Sequence, residues 1–227
     1  MSSQTHAPRI AVVSAGLSQP SSTRLLADRL VQAVRRELAR GGPEPEAQVV
    51  ELRDLATEIA GHLVTGFPAP ALRRALDEVT GADALIAVTP VFAASYSGLF
   101  KSFFDLVEPD ALTGKPVLVG ATGGTARHSL VLEHALRPLF SYLHATVVPT
   151  GVYAASEDWG GSGDPRTDTL PGRMDRAARE LAALLPAGDR FPAPPPRGDA
   201  EAEPPGEGTE EPEVVPFAQQ LAALRPR

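Results

Sequence analysis

Short runs of consecutive apolar residues alternate along the first 190 residues with longer stretches of helical periodicity. Arg9 to Ser14, Ala47 to Leu52, Ala84 to Thr89, Val117 to Ala121 and Ala145 to Pro149 read as five strands. Their lack of polar alternation is expected of strands covered on both faces. Between them, Ser22 to Arg40 carries Leu26, Leu30, Val34 and Leu38 on one side with its arginines elsewhere, and Gly41-Gly42-Pro43 ends it. Ala69 to Thr80, Gly98 to Val107, Ala126 to Leu143 and Thr169 to Leu185 complete the helices, with a kink predicted at Pro138. Strands that alternate with helices pair in parallel through right-handed crossovers.

Length and element order suit a flavodoxin-like three-layer α/β sandwich: a five-stranded parallel sheet in the order 2-1-3-4-5 with helices on both faces. Ligands of such sheets bind beyond the carboxyl ends of the strands. Hydrophobic residues make up 43% of the 227, enough for a sizeable core, and no apolar run approaches the ~18 residues of a membrane span. The absence of cysteine removes disulfides, thiolate metal sites and thiol nucleophiles, and fits a reducing compartment. Ile10 to Leu17 follows no cationic stretch and leads into a Ser-rich loop, so it reads as a first strand and not a leader; the expected setting is cytoplasmic.

The formal charge of -7 argues against nucleic-acid binding, and it is unevenly placed. Residues 198–213 hold seven acids and no base, after the run Pro194-Pro195-Pro196. The expected organisation is a domain over 1–190, a disordered Pro/Glu-rich linker over 191–213, and a short amphipathic segment over 214–227. Phe217, Leu221 and Leu224 fall on one helical face in that last segment, which suits docking on its own domain, a sister subunit or a partner, with a frayed terminus of chance periodicity as the plainer alternative.

Three loops follow predicted strand ends. The first, Ser14-Ala15-Gly16-Leu17-Ser18-Gln19-Pro20-Ser21-Ser22-Thr23, gathers hydroxyls around a helix N-terminus, where free N–H groups and the helix dipole favour a phosphate. Neither a Gly-Lys-Ser/Thr P-loop nor a Gly-x-Gly-x-x-Gly fingerprint is present; plain N-capping by Ser21 or Ser22 is the simpler alternative. The second runs from Thr89 through Pro90, expected to break the strand, to Ser97-Gly98, with aromatics at the mouth suited to a planar ring. The third, Ala121-Thr122-Gly123-Gly124-Thr125, lets the main chain approach a flat ligand closely. Lys101 and Asp105 stand one helical turn apart and are expected to pair.

The runs TPVFAASYSGLFKSFFDL, GKPVLVGATGG and EHALRPLFSYLHATVVPTGVYA, in this order and spacing, resemble the NADPH-dependent FMN reductase family. The likeness spans about residues 9–185 and is nearest to the flavin reductases of two-component alkanesulfonate monooxygenases. It implies NAD(P)H-dependent reduction of FMN by hydride transfer, with reduced flavin passed to a partner monooxygenase, in a homodimer or homotetramer. It places Ser14, Ser18, Ser21, Ser22 and Thr23 around the FMN phosphate. Pro90, Val91, Phe92, Ser95 and Tyr96 fall along the ring and ribityl chain, and Thr122, Gly123 and Gly124 at the pyrimidine edge. His128 is placed facing flavin or nicotinamide, whether NADPH or NADH, with Arg127 near a 2′-phosphate. Leu17 and Gln19 depart from the family pattern Gly-Ser-x-Arg-x-x-Ser, which Ser22 matches. In this branch the helix after the Gly-Gly loop can carry a one-residue π insertion. His134 occupies its place, which implies a role at a subunit interface or in flavin exchange, with interfacial packing as the plainer reading. His144 reads as structural.

Hydride transfer between two cofactors asks the protein mainly to orient them and exclude water, so neither an essential acid–base residue nor a metal is expected. Three other readings stand beside this one: a quinone or azo reductase with resident FMN, a flavodoxin-type electron carrier, and a non-flavin nucleotide-binding or scaffold domain on the same fold. The near-neutral charge of residues 1–197 weighs against the carrier.

Overall fold

A computed structural model describes residues 7–40, 43–160 and 169–185, so the expectations for 191–213 and 214–227 lie outside the described residues. The first strand, β1 (Arg9–Ser14), is buried from Ile10 onward and pairs in parallel with β2 (Glu46–Glu51) on one side and β3 (Ala84–Phe92) on the other. Strand β5 (Pro116–Gly123) lies beyond β3, and the outer position is shared by two short strands, β6 (Thr146–Val147) and β7 (Val152–Ala155). The order β2-β1-β3-β5-β6 is the expected flavodoxin-like one.

Alternate residues of the strands face two apolar layers. Ile10, Val12, Ile86, Val88 and Leu118 pack against α1 (Ser22–Leu38) and α6 (Leu170–Leu184). Ala11, Val13, Leu85, Ala87, Val117 and Val119 face the opposite layer, which includes α2 (Ala56–Thr65), α3 (Pro70–Gly81) and α4 (Gly98–Phe104). Four phenylalanines anchor that second layer. Phe104 has Phe100 at 4.7 Å, Phe140 at 5.0 Å and Phe103 at 5.3 Å between ring centroids, all tilted or edge-on as the ring quadrupole favours.

The sheet has seven strands in place of the expected five. Strand β3 does not stop at Pro90; it continues to Phe92 and folds back on β4 (Ser95–Tyr96) as an antiparallel pair, Val91 with Tyr96 and Phe92 with Ser95. The expected fifth strand, Ala145 to Pro149, is cut short: Thr146 N and Val148 N donate to Lys115 O and Val117 O of the β5 side, but the next donor on that side, Thr150 N, turns to Glu180. The groups around the gap are met by side chains instead: Arg137 donates to the carbonyls of Val148, at 2.8 Å, and Pro149, and Glu180 accepts from Thr150 N at 2.6 Å and Thr150 Oγ1 at 2.7 Å. The chain then re-enters the sheet as β7.

Helix α2 is absent from the sequence reading because its apolar signal is thin: only Ile59 is buried. Its acid Glu58 accepts from Leu72 N at 3.0 Å, capping α3, whose own cap residue Ala69 has no acceptor side chain. The single helix expected over Ala126 to Leu143 is three pieces: a 3-10 turn at Ala126–His128, a π-helical segment at Leu132–Leu136, and α5 (Arg137–Tyr142). Arg137 N donates five residues back to Leu132 O, so the register has already shifted when the chain reaches Pro138, which has no N–H to place. The π turn expected from the resemblance is present, with His134 at its centre, just ahead of Pro138.

Candidate functional site

The three loops meet beyond the carboxyl ends of β1, β3 and β5. In the first, Ser14 is fully buried and its Oγ has no hydrogen-bond partner. A buried hydroxyl left alone costs about 1–3 kcal/mol, so a ligand or water that reaches it is favoured. Gly16 is required by packing, because a Cβ there would lie 2.0 Å from Ser21 Oγ. Ser21 caps α1, its Oγ accepting from Arg24 N at 3.2 Å, as the simpler reading has it. Ser18 and Ser22 are exposed at the mouth. Thr23 turns inward, with its Oγ1 2.8 Å from Thr122 Oγ1, so one hydroxyl pair pins the first loop to the third.

The second loop is the hairpin β3–β4. Phe92 is 47% exposed, while Pro90, Val91, Ser95 and Tyr96 are half-buried beside it. Both turn residues, Ala93 (φ 46°) and Ala94 (φ 65°), are left-handed, a conformation that costs roughly 1–2 kcal/mol per residue with a Cβ. Thr89 Oγ1 braces the base of the hairpin, accepting from Ser97 N at 3.0 Å and donating to Pro90 O at 3.0 Å.

In the third loop Thr122 is buried, Gly123 half-buried and Gly124 exposed with open space around it. A Cβ on Gly123 would sit 2.1 Å from Tyr153 Oη, which donates to Thr125 O at 2.8 Å. Burial pushes the Tyr153 phenol pKa up. Tyr153 is a site residue the sequence reading missed, because it stands on the unassigned strand β7; the apolar run Val152 to Ala155 after Gly151 was its signal. Arg127 and His128 are both exposed on the 3-10 turn that follows.

His134 does not join the loops directly. It lines a groove of about 560 Å³ between the β4–α4 segment and α5, together with Ser95, Tyr96, Lys101, Asp105 and Tyr142. Ser95 and Tyr96 border both the groove and the loop mouth. Lys101 pairs with Asp105, which raises the lysine pKa. His144, left-handed at φ 58°, has Nδ1 3.1 Å from Asp110 Oδ1, a structural placement. Among the described residues no cluster of acids or histidines is arranged to hold a metal.

A flavin phosphate fits the first loop: the Ser14 hydroxyl is buried without a partner, and the loop leads through Gly16 into the N-terminus of a 17-residue helix. A ring edge fits the open space at Gly124.

The family model for NADPH-dependent FMN reductases matches residues 8–160. The chain is 42% identical to the FMN reductase (NADPH) of Pseudomonas aeruginosa over 151 residues, 66% of this chain and 78% of that protein. It is 38% identical to the NADH-dependent FMN reductase SfnF of Pseudomonas putida over 173 residues, 76% and 89% of the two chains. A crystal structure of an oxidoreductase from Corynebacterium diphtheriae superposes with a TM-score of 0.75 at 46% identity, covering 80% of this chain and 98% of that one.

Proposed function

The chain belongs to the NADPH-dependent FMN reductase family, and we propose that the mouth of its three strand-end loops is where this NAD(P)H-dependent FMN oxidoreductase holds its flavin. One observation carries the placement: the Ser14 hydroxyl, buried without a partner in the loop that leads into α1. Ser18, Ser22 and the free amides of α1 receive the phosphate, with Ser14 and Ser21 behind them. Thr23 acts at one remove, holding Thr122 and so the third loop in place. Pro90, Val91, Phe92, Ser95 and Tyr96 shape the wall along the ring, and Gly123 and Gly124 present main chain at its pyrimidine edge.

Nicotinamide supplies the hydride and bound FMN accepts it. The chain's own part is to fix the flavin plane against the hairpin, leave the opposite face open to nicotinamide beside His128, and exclude water. Arg127, exposed on the same turn, offers a cation to a 2′-phosphate.

The flavin acts as a substrate that leaves once reduced, for use by a partner monooxygenase. The groove around His134 serves assembly into a homodimer or homotetramer, and the setting is cytoplasmic. Among the described residues no helix is long and apolar enough to cross a membrane. The test is a spectrum of the desalted protein followed by steady-state NAD(P)H oxidation with free FMN, FAD and riboflavin. A colourless protein with flavin-dependent turnover is expected. No flavin-dependent oxidation with either nucleotide overturns the reading, and a protein that stays yellow favours a reductase with resident FMN.

A further inference from the structure

The first loop has no charged side chain between Ser14 and Thr23, yet a phosphomonoester carries between one and two negative charges near neutral pH. Two arginines stand near it. Arg24 is already committed: its Nε donates to Asp28 at 2.8 Å and its Nη1 to Glu51 at 2.7 Å. Arg53, in the 3-10 turn that follows β2 (Leu52–Leu55), is placed differently. Its Nη1 donates to Ser18 O at 3.4 Å, and the Gln19 amide, its oxygen turned inward, accepts from both Nη atoms. Its one acidic neighbour, Asp54, approaches only Nε, at 3.4 Å, and is 69% exposed, so that attraction is largely screened by water. The guanidinium therefore engages the loop through its Nη atoms, where Ser18 O and Gln19 take three of the four N–H groups and leave one; Nε is buried beside Asp54 without a hydrogen bond.

We propose that Arg53, delivered from the end of β2, is the cation that recognises the phosphate of FMN and sets the preference for the phosphorylated flavin. The proposal rests on the first loop being the phosphate site. An arginine placed outside the loop steadies the Ser18–Gln19 main chain while leaving the helix amides free to reach the same phosphate. A guanidinium suits this because its planar fork bonds two acceptors at once.

The test is equilibrium titration with FMN and with riboflavin, followed by quenching of flavin fluorescence, for the wild type, Arg53→Gln and Arg53→Lys. Thermal melting of each variant establishes that it is folded. The wild type should bind FMN more tightly than riboflavin, and Arg53→Gln should shrink that ratio about ten- to a hundredfold, the size of a lost charged hydrogen bond. Arg53→Lys should restore part of it, and wild-type FMN affinity should fall as salt is raised while riboflavin affinity stays flat. A wild-type preference that Arg53→Gln leaves intact overturns the role of Arg53 alone. A wild type with no preference between the two flavins overturns the phosphate site as well.

Discussion

A Cβ on Gly123 would lie 2.1 Å from the Tyr153 hydroxyl, so the glycine that looks in sequence like a ligand-facing residue is also a socket for a neighbouring side chain. Gly123→Ala should destabilise the fold by about 1–3 kcal/mol, and Tyr153→Phe alone by about 1 kcal/mol for the lost bond to Thr125 O. Combined, they should cost less than their sum, because removing Oη clears most of the clash; urea unfolding of the four proteins measures the coupling. The sequence revealed that glycines stand in this loop but not why Gly123 is needed, since the reason sits on a strand 30 residues away. Thr23 carries the same lesson. Its place in a run of hydroxyls predicts a phosphate contact, and only the fold shows the side chain turned to Thr122. At the opposite end of the sheet, Lys115 donates to the carbonyls of Thr80, at 3.2 Å, and Ala82, and burial lowers its pKa to about 8. Between about pH 8 and the ordinary 10.5, the unfolded chain keeps a proton that the folded chain has released. Stability from this group therefore rises with pH across that window. Denaturation midpoints at pH 7 and pH 10 should show the wild type gaining on Lys115→Met at the higher pH; equal changes in both proteins would contradict this.

The hairpin β3–β4 is the element where backbone strain gathers at the site. Two alanines occupy left-handed positions that Asn-Gly would fill without penalty, and they lie beside Phe92 at the mouth. Ala94→Gly should stabilise the protein by up to about 1 kcal/mol and loosen the wall along the ring, raising the flavin dissociation constant while the melting temperature climbs. A parallel rise in stability and flavin affinity would show that the strain plays no part in binding. The π segment offers a test of a different element. His134→Ala should change the oligomeric state or the exchange rate of FMN while leaving the monomer's fold intact; unchanged affinity, assembly and turnover would count against a role for the groove. The position of this insertion was legible from the resemblance alone, since no local signal in Leu132 to Leu136 announces an i→i+5 bond. Strands were legible where consecutive apolar residues lie between two layers. They were not where the ladder ends after Val148 and the side chains of Arg137 and Glu180 take Val148 O and Thr150 N in its place.

For the molecule as a whole, the near-neutral charge of residues 1–197 and the acidic block at 198–213 divide the work. Two apolar layers close around the sheet by Leu185, and every residue assigned to flavin lies before it. With Arg53 as the cation of the phosphate site, the proposed flavin contacts are complete without the C-terminal residues. We propose that those residues serve association, through the apolar residues Phe217, Leu221 and Leu224 or the acids before them. A protein ending at residue 190 should reduce FMN with the kcat and KM of the full chain. It should differ from the full chain in assembly, read by light scattering, or in the transfer of reduced flavin to a coupled monooxygenase. High salt should weaken that transfer in the full chain if the acidic block makes the contact, and leave it unaltered if the apolar face does, because screening acts on the first and not on the second. Identical assembly and identical coupled turnover in the shortened protein would remove the tail from the function altogether.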